Sequence, residues 1–482
     1  MVQINFAEEE KLHFVSRLWQ GQGCSEQYVS HKKKGGHVKM EYRPDTSNMQ
    51  ATTPSLTLNA RPERHFIHPH GCCRFVAFHI HVACPPADPK TKRPPLELAL
   101  VLDRSGSMSG EKLQTAKRAV LTLLDRLTPR DRVSVVVFDN AIDIVQPLNA
   151  VTPGFKLKVR NALRAIQARA STALHEGWLT GCDTLAATAD SSEDHGLARC
   201  FLLTDGIANV GVTDPEQIAS EAAGIREHAA ISTSTFGIGL DYNELLLGPM
   251  AVAGGGQFHH LRTSEEIVNT FTGELEGLFS VAARQVRLEI EADPGINTEL
   301  LSSYWMRSMS SRPQSWSIAI GDLQRDEDRQ VIAQIYLPAQ DRQEQQVLRT
   351  RLAWHIGDVE YHTAWQELSF SYADPSTCDA EARDAQVIHW AGWHQADRAR
   401  RETVARNNRG DIDGARKYLK QEMQQIKQYG YDDKELLDEI AELGSLRQEL
   451  AHAPMSPDLA KEQYYRQQLR SRGQADYRTP EE

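Results

Sequence analysis

Apolar residues change their spacing along the chain, and these changes divide it into regions. Between residues 95 and 283, continuous apolar runs such as 96–102 alternate with segments of helical spacing, as at Leu113, Ala116 and Val120. The first pattern is typical of a parallel strand covered on both faces, and the second of an amphipathic helix. Their alternation predicts a doubly wound, mostly parallel α/β sheet.

Outside this region the pattern differs. Alternation with a period of two, as at Val286, Leu288 and Ile290, recurs through residues 284–376, and a similar run lies within residues 61–94. We therefore assign 61–94 and 284–376 to one antiparallel β-sandwich, into which the α/β domain of residues 95–283 is inserted. Residues 1–60 are predicted to be a weakly ordered extension. Residues 377–482 are predicted to be helical, either as a solvated bundle or as a docking arm.

Composition excludes several classes of function. The 54 basic and 65 acidic residues give a net charge of -11, which argues against non-specific binding to nucleic acid or to an anionic membrane. The sequence lacks an apolar run of about 18 residues, so we expect no membrane span, and its N-terminus does not resemble a secretory signal. The seven cysteines show no disulfide spacing. We therefore expect reduced thiols and a cytoplasmic location.

Oxygen-bearing side chains follow the apolar strands of the α/β region. The first strand runs into Asp-Arg-Ser-Gly-Ser at 103–107, a threonine precedes a later helix, and an aspartate follows another buried strand. Ligands of a doubly wound sheet bind at the carboxyl ends of its strands, and a hard cation such as Mg2+ prefers oxygen ligands. The candidate ligands are Asp103, Ser105, Ser107, Thr172 and Asp205.

These three motifs, in this order, resemble the metal-ion-dependent adhesion site of von Willebrand factor A domains. The resemblance covers about residues 96–279, and the layout around it is similar to that of bacterial von Willebrand A proteins and inter-alpha-trypsin inhibitor heavy chains. One departure is Ala170-Ser171, where many relatives carry two glycines before the threonine. The structural alternative is an α/β domain whose site has lost its metal.

The resemblance implies a role for each residue. Ser105 and Ser107 would bind Mg2+ directly, Thr172 would do so in the ligand-bound form, and Asp103 and Asp205 would act directly or through water. The coordination position of the metal that these residues leave open would accept an Asp or Glu carboxylate of a protein partner. Mn2+ or Ca2+ are alternatives to Mg2+. A partner-binding rim is predicted at Met108, His175, Glu176 and Gly206.

The sequence leaves open other interpretations of its possible metal sites and of its function. The segment 65–84 holds five histidines and three cysteines, but its spacing favours surface histidines over a zinc site. The favoured function is a non-enzymatic interaction module or scaffold. The alternative is an accessory subunit of an AAA+ ATPase of the MoxR-like or chelatase type. A Mg2+-dependent hydrolase ranks third, because no general base is aimed at a metal-bound water.

Overall fold

The computed structural model describes residues 54–84, 93–169, 171–187, 196–206, 208–309, 314–339, 345–357 and 359–471. The described chain begins with the strands β1 (Ser55–Pro62), β2 (Phe66–Ile67) and β3 (Cys72–Ala83). It then enters the α/β domain, whose strands are β4 (Leu96–Asp103), β5 (Arg132–Phe138), β6 (Ile142–Ala150), β7 (Leu197–Thr204), β8 (Ile231–Ile238) and β9 (Gly255–Leu261). Its helices are α1 (Glu111–Arg126), α2 (Pro153–Ala165), α3 (Leu174–Ala186), α4 (Pro215–Ala229), α5 (Glu244–Ala253) and α6 (Ser264–Phe279).

The α/β domain is built on one sheet of six strands in the order β6-β5-β4-β7-β8-β9. The neighbours from β5 to β9 pair in parallel, and β6 pairs antiparallel with β5 at the edge. Apolar side chains of α1, α2 and α6 cover one face, and those of α3, α4 and α5 cover the other. The predicted doubly wound, mostly parallel sheet is confirmed.

Glycines allow α3 to approach the sheet closely. A Cβ atom on Gly177 would collide with the ring of Phe138 on β5, and one on Gly181 would collide with Val101 on β4. Because these glycines are one helical turn apart, they form a flat stripe on which the helix lies against the strands. This packing fixes the loop before α3, which carries Thr172.

The chain leaves a β-sandwich after β3 and returns to it after α6. The returning strands are β10 (Val281–Ala292), β11 (Asn297–Leu300), β12 (Trp305–Ser308), β13 (Ser315–Gln324), β14 (Asp328–Leu337), β15 (Gln345–Ile356), β16 (Val359–His362) and β17 (Gln366–Tyr372). One sheet has the order β1-β3-β14-β11 and the other β12-β13-β10-β15-β17-β2, with β16 beside β15. Since β3 pairs with β14, strands on both sides of the α/β domain share one sheet, and a common apolar core joins the two sheets.

The prediction of a weakly ordered extension over residues 1–60 is wrong for residues 55–60, which form part of β1. Residues 1–53 lie outside the described part, but β1 pairs along its whole length with β3 and buries Leu56 and Ala60. The signal in the sequence is weak because only alternate residues of one short edge strand face the core. What orders this strand is a partner that lies about twenty residues further along the chain.

Helices complete the chain. They are α7 (Pro375–Ala380), α8 (Ala385–Asn408), α9 (Ile412–Tyr429), α10 (Lys434–His452) and α11 (Pro457–Ser471). Val387 and Ala391 of α8 pack against Ala77 and Ile332 of the sandwich. Tyr464 of α11 is fully buried in the α/β core, where a Cβ atom on Gly248 would collide with its ring. The helical region is therefore packed against both other parts of the described chain.

Candidate metal centre

The first predicted motif lies at the carboxyl end of β4. Asp103 is fully buried as the last residue of this strand, and a short 3-10 turn over Gly106–Met108 follows before α1 begins. The Asp103 carboxylate accepts hydrogen bonds from Ser105 N at 2.7 Å and from Thr204 Oγ1, on the neighbouring strand β7, at 2.5 Å. These two bonds hold the loop in place and fix it to the adjacent strand.

The Asp205 motif follows β7 and lies beside the first motif. Asp205 is fully buried, and Ser107 Oγ donates a hydrogen bond to its Oδ1 atom over 2.8 Å. The hydroxyl oxygens of Ser105 and Ser107 are 3.1 Å apart. Two carboxylates and two hydroxyls are thus collected at one edge of the sheet, because parallel strands β4 and β7 are neighbours and end together.

Thr172 brings a third loop to the same place. Its backbone N–H donates to Asn209 Oδ1 over 2.9 Å, which ties the loop before α3 to the one after β7. A Cβ atom built on Gly206 would lie 3.2 Å from Thr172 Oγ1, 3.4 Å from Ser107 Oγ and 3.5 Å from Asp103 Oδ2. Oxygens from the 103–107 loop and from the loop before α3 therefore border one small space above the bare Cα of Gly206, which the third loop supplies.

The electrostatics of this space favour a cation. Burial raises the pKa of the Asp103 carboxyl to about 6, although hydrogen bonds from Thr204 and Ser105 oppose the shift, and the nearby Asp205 charge adds to it. A divalent cation between these carboxylates would relieve both the desolvation and the repulsion. Oxygen ligands alone, with hydroxyls among them, suit Mg2+ or another hard divalent ion.

Lys112 is a feature of this centre that the sequence analysis missed. Its Nζ atom donates to Asp205 Oδ2 over 2.5 Å and to Asp241 Oδ2 over 3.2 Å. Burial opposes ionisation, but the hydrogen bond and charge of Asp205 hold the pKa of Lys112 above its usual value. One signal was present, because a lysine in the first turn of a helix faces the positive end of the helix dipole and needs an anion nearby.

The predicted partner-binding rim is only partly at the surface. Met108 is fully buried in the apolar core, so it lies beneath the centre rather than on its rim. His175 is also buried, and its Nε2 atom is 2.5 Å from Glu221 Oε2. Met108 is the buried residue of the 3-10 turn, and no local pattern in the sequence indicates that its side chain points inward.

The other two rim residues lie close to the ligand loops. Gly206 borders the space described above. Glu176 lies in the first turn of α3 and packs against Gly211, where a Cβ atom would collide with its carboxylate. One oxygen of this carboxylate, Oε2, is buried and accepts no hydrogen bond from the described residues.

An ionic cluster around the buried Asp139 carboxylate braces the Asp103 loop from the side. Arg104 Nε and Arg169 Nε donate to Asp139 Oδ2 over 3.1 and 2.5 Å, and Arg104 Nη2 donates to Asp143 Oδ2 over 2.5 Å. Arg169 N also donates to the Arg104 carbonyl oxygen over 2.8 Å. The loops that carry Ser105 and Thr172 are thereby linked.

The histidine-rich segment forms no second centre among the residues described. His79 Nε2 and His81 Nδ1 lie 2.9 and 3.1 Å from the same carboxylate oxygen, Asp328 Oδ1. Within the described ranges, no three His, Cys, Asp or Glu side chains form a group that could hold a metal. The six cysteines in those ranges are free, and none of the described helices is long and apolar enough to cross a membrane.

Comparisons with known proteins identify the α/β domain. The family model of the von Willebrand factor type A domain matches residues 97–273. An uncharacterized protein of Synechocystis, sll0103, is 29% identical over 258 residues, which are 52% of this chain and 59% of that protein. The human inter-alpha-trypsin inhibitor heavy chain H4 is 30% identical over 167 residues, which are 34% of this chain and 18% of that protein.

Solved structures extend the likeness in fold beyond this domain. A von Willebrand factor type A protein from Catenulispora acidiphila has a TM-score of 0.67 at 16% identity, over 88% of this chain and 98% of that one. The ArnB paralog VWA2 from Sulfolobus acidocaldarius has a TM-score of 0.55 at 18% identity, over 87% and 99%. The chain therefore contains a von Willebrand factor A domain, a kind of domain that commonly mediates protein–protein interactions and commonly binds a divalent metal.

Proposed function

We propose that this protein captures a partner protein through a divalent cation, most simply Mg2+, held by Asp103, Ser105, Ser107, Thr172 and Asp205. The observation that carries the proposal is the convergence of three loop oxygens, on Thr172, Ser107 and Asp103, around the bare Cα of Gly206. The donors are all oxygen, and two buried carboxylates supply negative charge. This set of ligands fits a hard divalent cation.

The bound cation would present a Lewis-acidic position toward solvent. Ser107 is exposed, whereas both aspartates are fully buried, so a partner would approach over the 105–107 loop. With only two carboxylates in the set, a divalent cation keeps affinity for a further anionic oxygen. An Asp or Glu side chain of the partner is the group proposed to supply it, and the chain would act as an interaction module rather than as an enzyme.

Cation binding is the step to test first. Titration of the full-length protein with Mg2+, followed by calorimetry, should show saturable binding that is lost in Asp103→Asn and Ser107→Ala. Asparagine keeps the shape of Asp103 and its bond to Ser105 N, so the fold should be retained. Ser109→Ala is the matched control, because Ser109 is an exposed serine just beyond the predicted ligands.

Partner capture is tested separately. Proteins retained from a lysate by the wild type in Mg2+ should be released by EDTA and should not bind Asp103→Asn, and synthetic peptides from an identified partner should lose binding when one acidic residue is amidated. Retention that is equal with EDTA and in Asp103→Asn would contradict the proposal. Retention of an ATPase whose turnover rises on mixing would favour the accessory-subunit alternative instead.

A further inference from the structure

The ammonium of Lys112 occupies an unusual position between two carboxylates of different kinds. Asp205 belongs to the candidate centre and is fully buried, whereas the side chain of Asp241 lies in a separate loop and is 70% exposed. Lys112 itself is 31% exposed, so its ammonium bridges the interior of the centre and the solvent. One cationic group is therefore shared between a proposed cation ligand and a surface anion.

The contact with Asp205 uses an oxygen that a cation would also need. Of the two carboxylate oxygens, Oδ1 already accepts from Ser107 and Oδ2 accepts from Lys112. A divalent ion bound directly by Asp205 must therefore share Oδ2 with the Lys112 ammonium or Oδ1 with the Ser107 hydroxyl. Since like charges repel at short range, the ion and the ammonium cannot both sit close to this carboxylate without a cost.

The surroundings of Lys112 also leave room for its ammonium to move toward Asp241. A Cβ atom on Gly239 would lie 3.4 Å from Lys112 Cε, so the absence of a side chain there leaves the lysine stem unobstructed along this loop. The next residue, Leu240, is 43% exposed. Because the lysine stem is long and flexible, a small rotation toward Asp241 would withdraw the ammonium without disturbing the core.

We propose that Lys112 is a built-in competitor for the divalent cation at Asp205, and that Asp241 is the anion to which its ammonium withdraws when the cation binds. This inference rests on the proposed function, because it requires that a cation binds at the centre. It adds that the affinity for the cation is set by a neighbouring lysine as well as by the ligands. Asp241 then assists cation binding without touching the cation.

A double-mutant cycle on the full-length protein tests this arrangement. Free Mn2+ is measured by electron paramagnetic resonance during titration of the wild type, Lys112→Met, Asp241→Asn and the double variant. Lys112→Met should bind Mn2+ about tenfold more tightly, since a nearby positive charge is removed. Asp241→Asn should bind it several-fold more weakly, and in the Lys112→Met background the Asp241 change should have little effect.

Two further variants serve as controls. One separates the charge of Lys112 from its packing, and the other tests whether the measured ion binds at the candidate centre. Lys112→Arg keeps the positive charge and should bind Mn2+ with an affinity near that of the wild type. Asp103→Asn should lose binding, which shows that the measured ion occupies the centre. Circular dichroism of each variant checks that the fold is retained, since these comparisons apply only to folded protein.

The outcomes are distinguishable. Equal or weaker Mn2+ binding by Lys112→Met, with binding lost in Asp103→Asn, would overturn the competitor role and leave the proposed function standing. The same weakening by Asp241→Asn in both backgrounds would overturn withdrawal to Asp241. If neither the wild type nor Lys112→Met binds Mn2+, the competitor and the proposed function both fail.

Discussion

Two lysine–carboxylate pairs of this protein have similar chemistry and opposite surroundings. Lys461 of α11 donates to Glu244 Oε2 over 2.9 Å, and both side chains are almost fully enclosed, at 6% and 3% exposure. Asn408 donates to the other Glu244 oxygen over 2.7 Å, and the Lys461 ammonium lies 4.5 Å from the centre of the Tyr242 ring. At the candidate centre, the Lys112–Asp205 pair has one enclosed partner and one partner that reaches solvent.

The difference shows how surroundings decide what an ion pair does. Around Lys461, both carboxylate oxygens have donors and the ammonium is covered, so the pair serves to hold the C-terminal helix on the α/β domain. Around Lys112, the oxygens of several loops remain directed at one space, and the lysine has an alternative anion. An enclosed pair can only be broken at a cost, whereas an open pair can be exchanged for another cation.

The largest expected effect is at the enclosed pair. Lys461→Met should lower the free energy of unfolding by about 3–5 kcal/mol, because it leaves the buried Glu244 charge without its partner. Urea unfolding measures this change. Lys420→Met, at an exposed lysine of α9, is the matched control and should change stability little.

The cation affinity of folded Lys461→Met should equal that of the wild type. A large loss of affinity without a loss of stability would mean that the two pairs do not differ in the way described. In the double variant with Glu244→Gln, the destabilisation should be smaller than the sum of the single effects, since both charges are then removed.

A smaller effect, confined to the centre, is expected from Gly206→Ala. The new Cβ atom would fill the space surrounded by Thr172, Ser107 and Asp103. Cation affinity should fall about tenfold, because overpacking of a fixed site costs on the order of 1–3 kcal/mol. Calorimetric titration with Mg2+ measures the affinity.

The control for this prediction is a glycine with open space around it. At Gly224, within α4, an added Cβ atom meets nothing within 4 Å. Gly224→Ala should keep the wild-type cation affinity and raise the free energy of unfolding by about 0.5–1 kcal/mol. Unchanged affinity in Gly206→Ala would show that the cation does not occupy this space.

A further prediction is a pH dependence of stability in the enclosed region. Arg262 Nε donates to His260 Nε2 over 3.2 Å, and His260 Nδ1 lies 2.7 Å from the Tyr242 hydroxyl, so the ring is neutral. Burial lowers the pKa of His260 from 6.5 to about 4, and the charges of Arg262 and Lys461 act in the same direction.

Because the unfolded chain takes up this proton first, the stability that His260 contributes is present above pH 6.5 and is lost as the pH falls toward about 4. Urea unfolding at these two limits should therefore show a smaller loss in His260→Gln than in the wild type. His452→Gln, at an exposed histidine, should lose as much stability as the wild type. Equal losses in all three proteins would contradict the prediction.

Much of the α/β fold was predictable from the sequence, since its signals are local. The apolar run 96–102 falls within β4, and Leu113, Ala116 and Val120, whose spacing predicts a helix, all lie on α1. Prediction was weaker for strands such as β1, β11 and β16, which are short or lie at sheet edges. Their order comes from strands that are distant in the sequence.

The sequence by itself determined the alternation of buried strands and amphipathic helices, and it placed the Asp103, Thr172 and Asp205 motifs at the ends of those elements. Residue type and spacing suffice for this, because a parallel sheet brings its carboxyl ends together. Only the tertiary structure decided which neighbours these residues have. Lys112 of α1 meets Asp205 and Asp241, which lie in two separate loops, and the Met108 side chain is buried in the core. Such contacts depend on side-chain direction and on distances between loops, which no local pattern encodes.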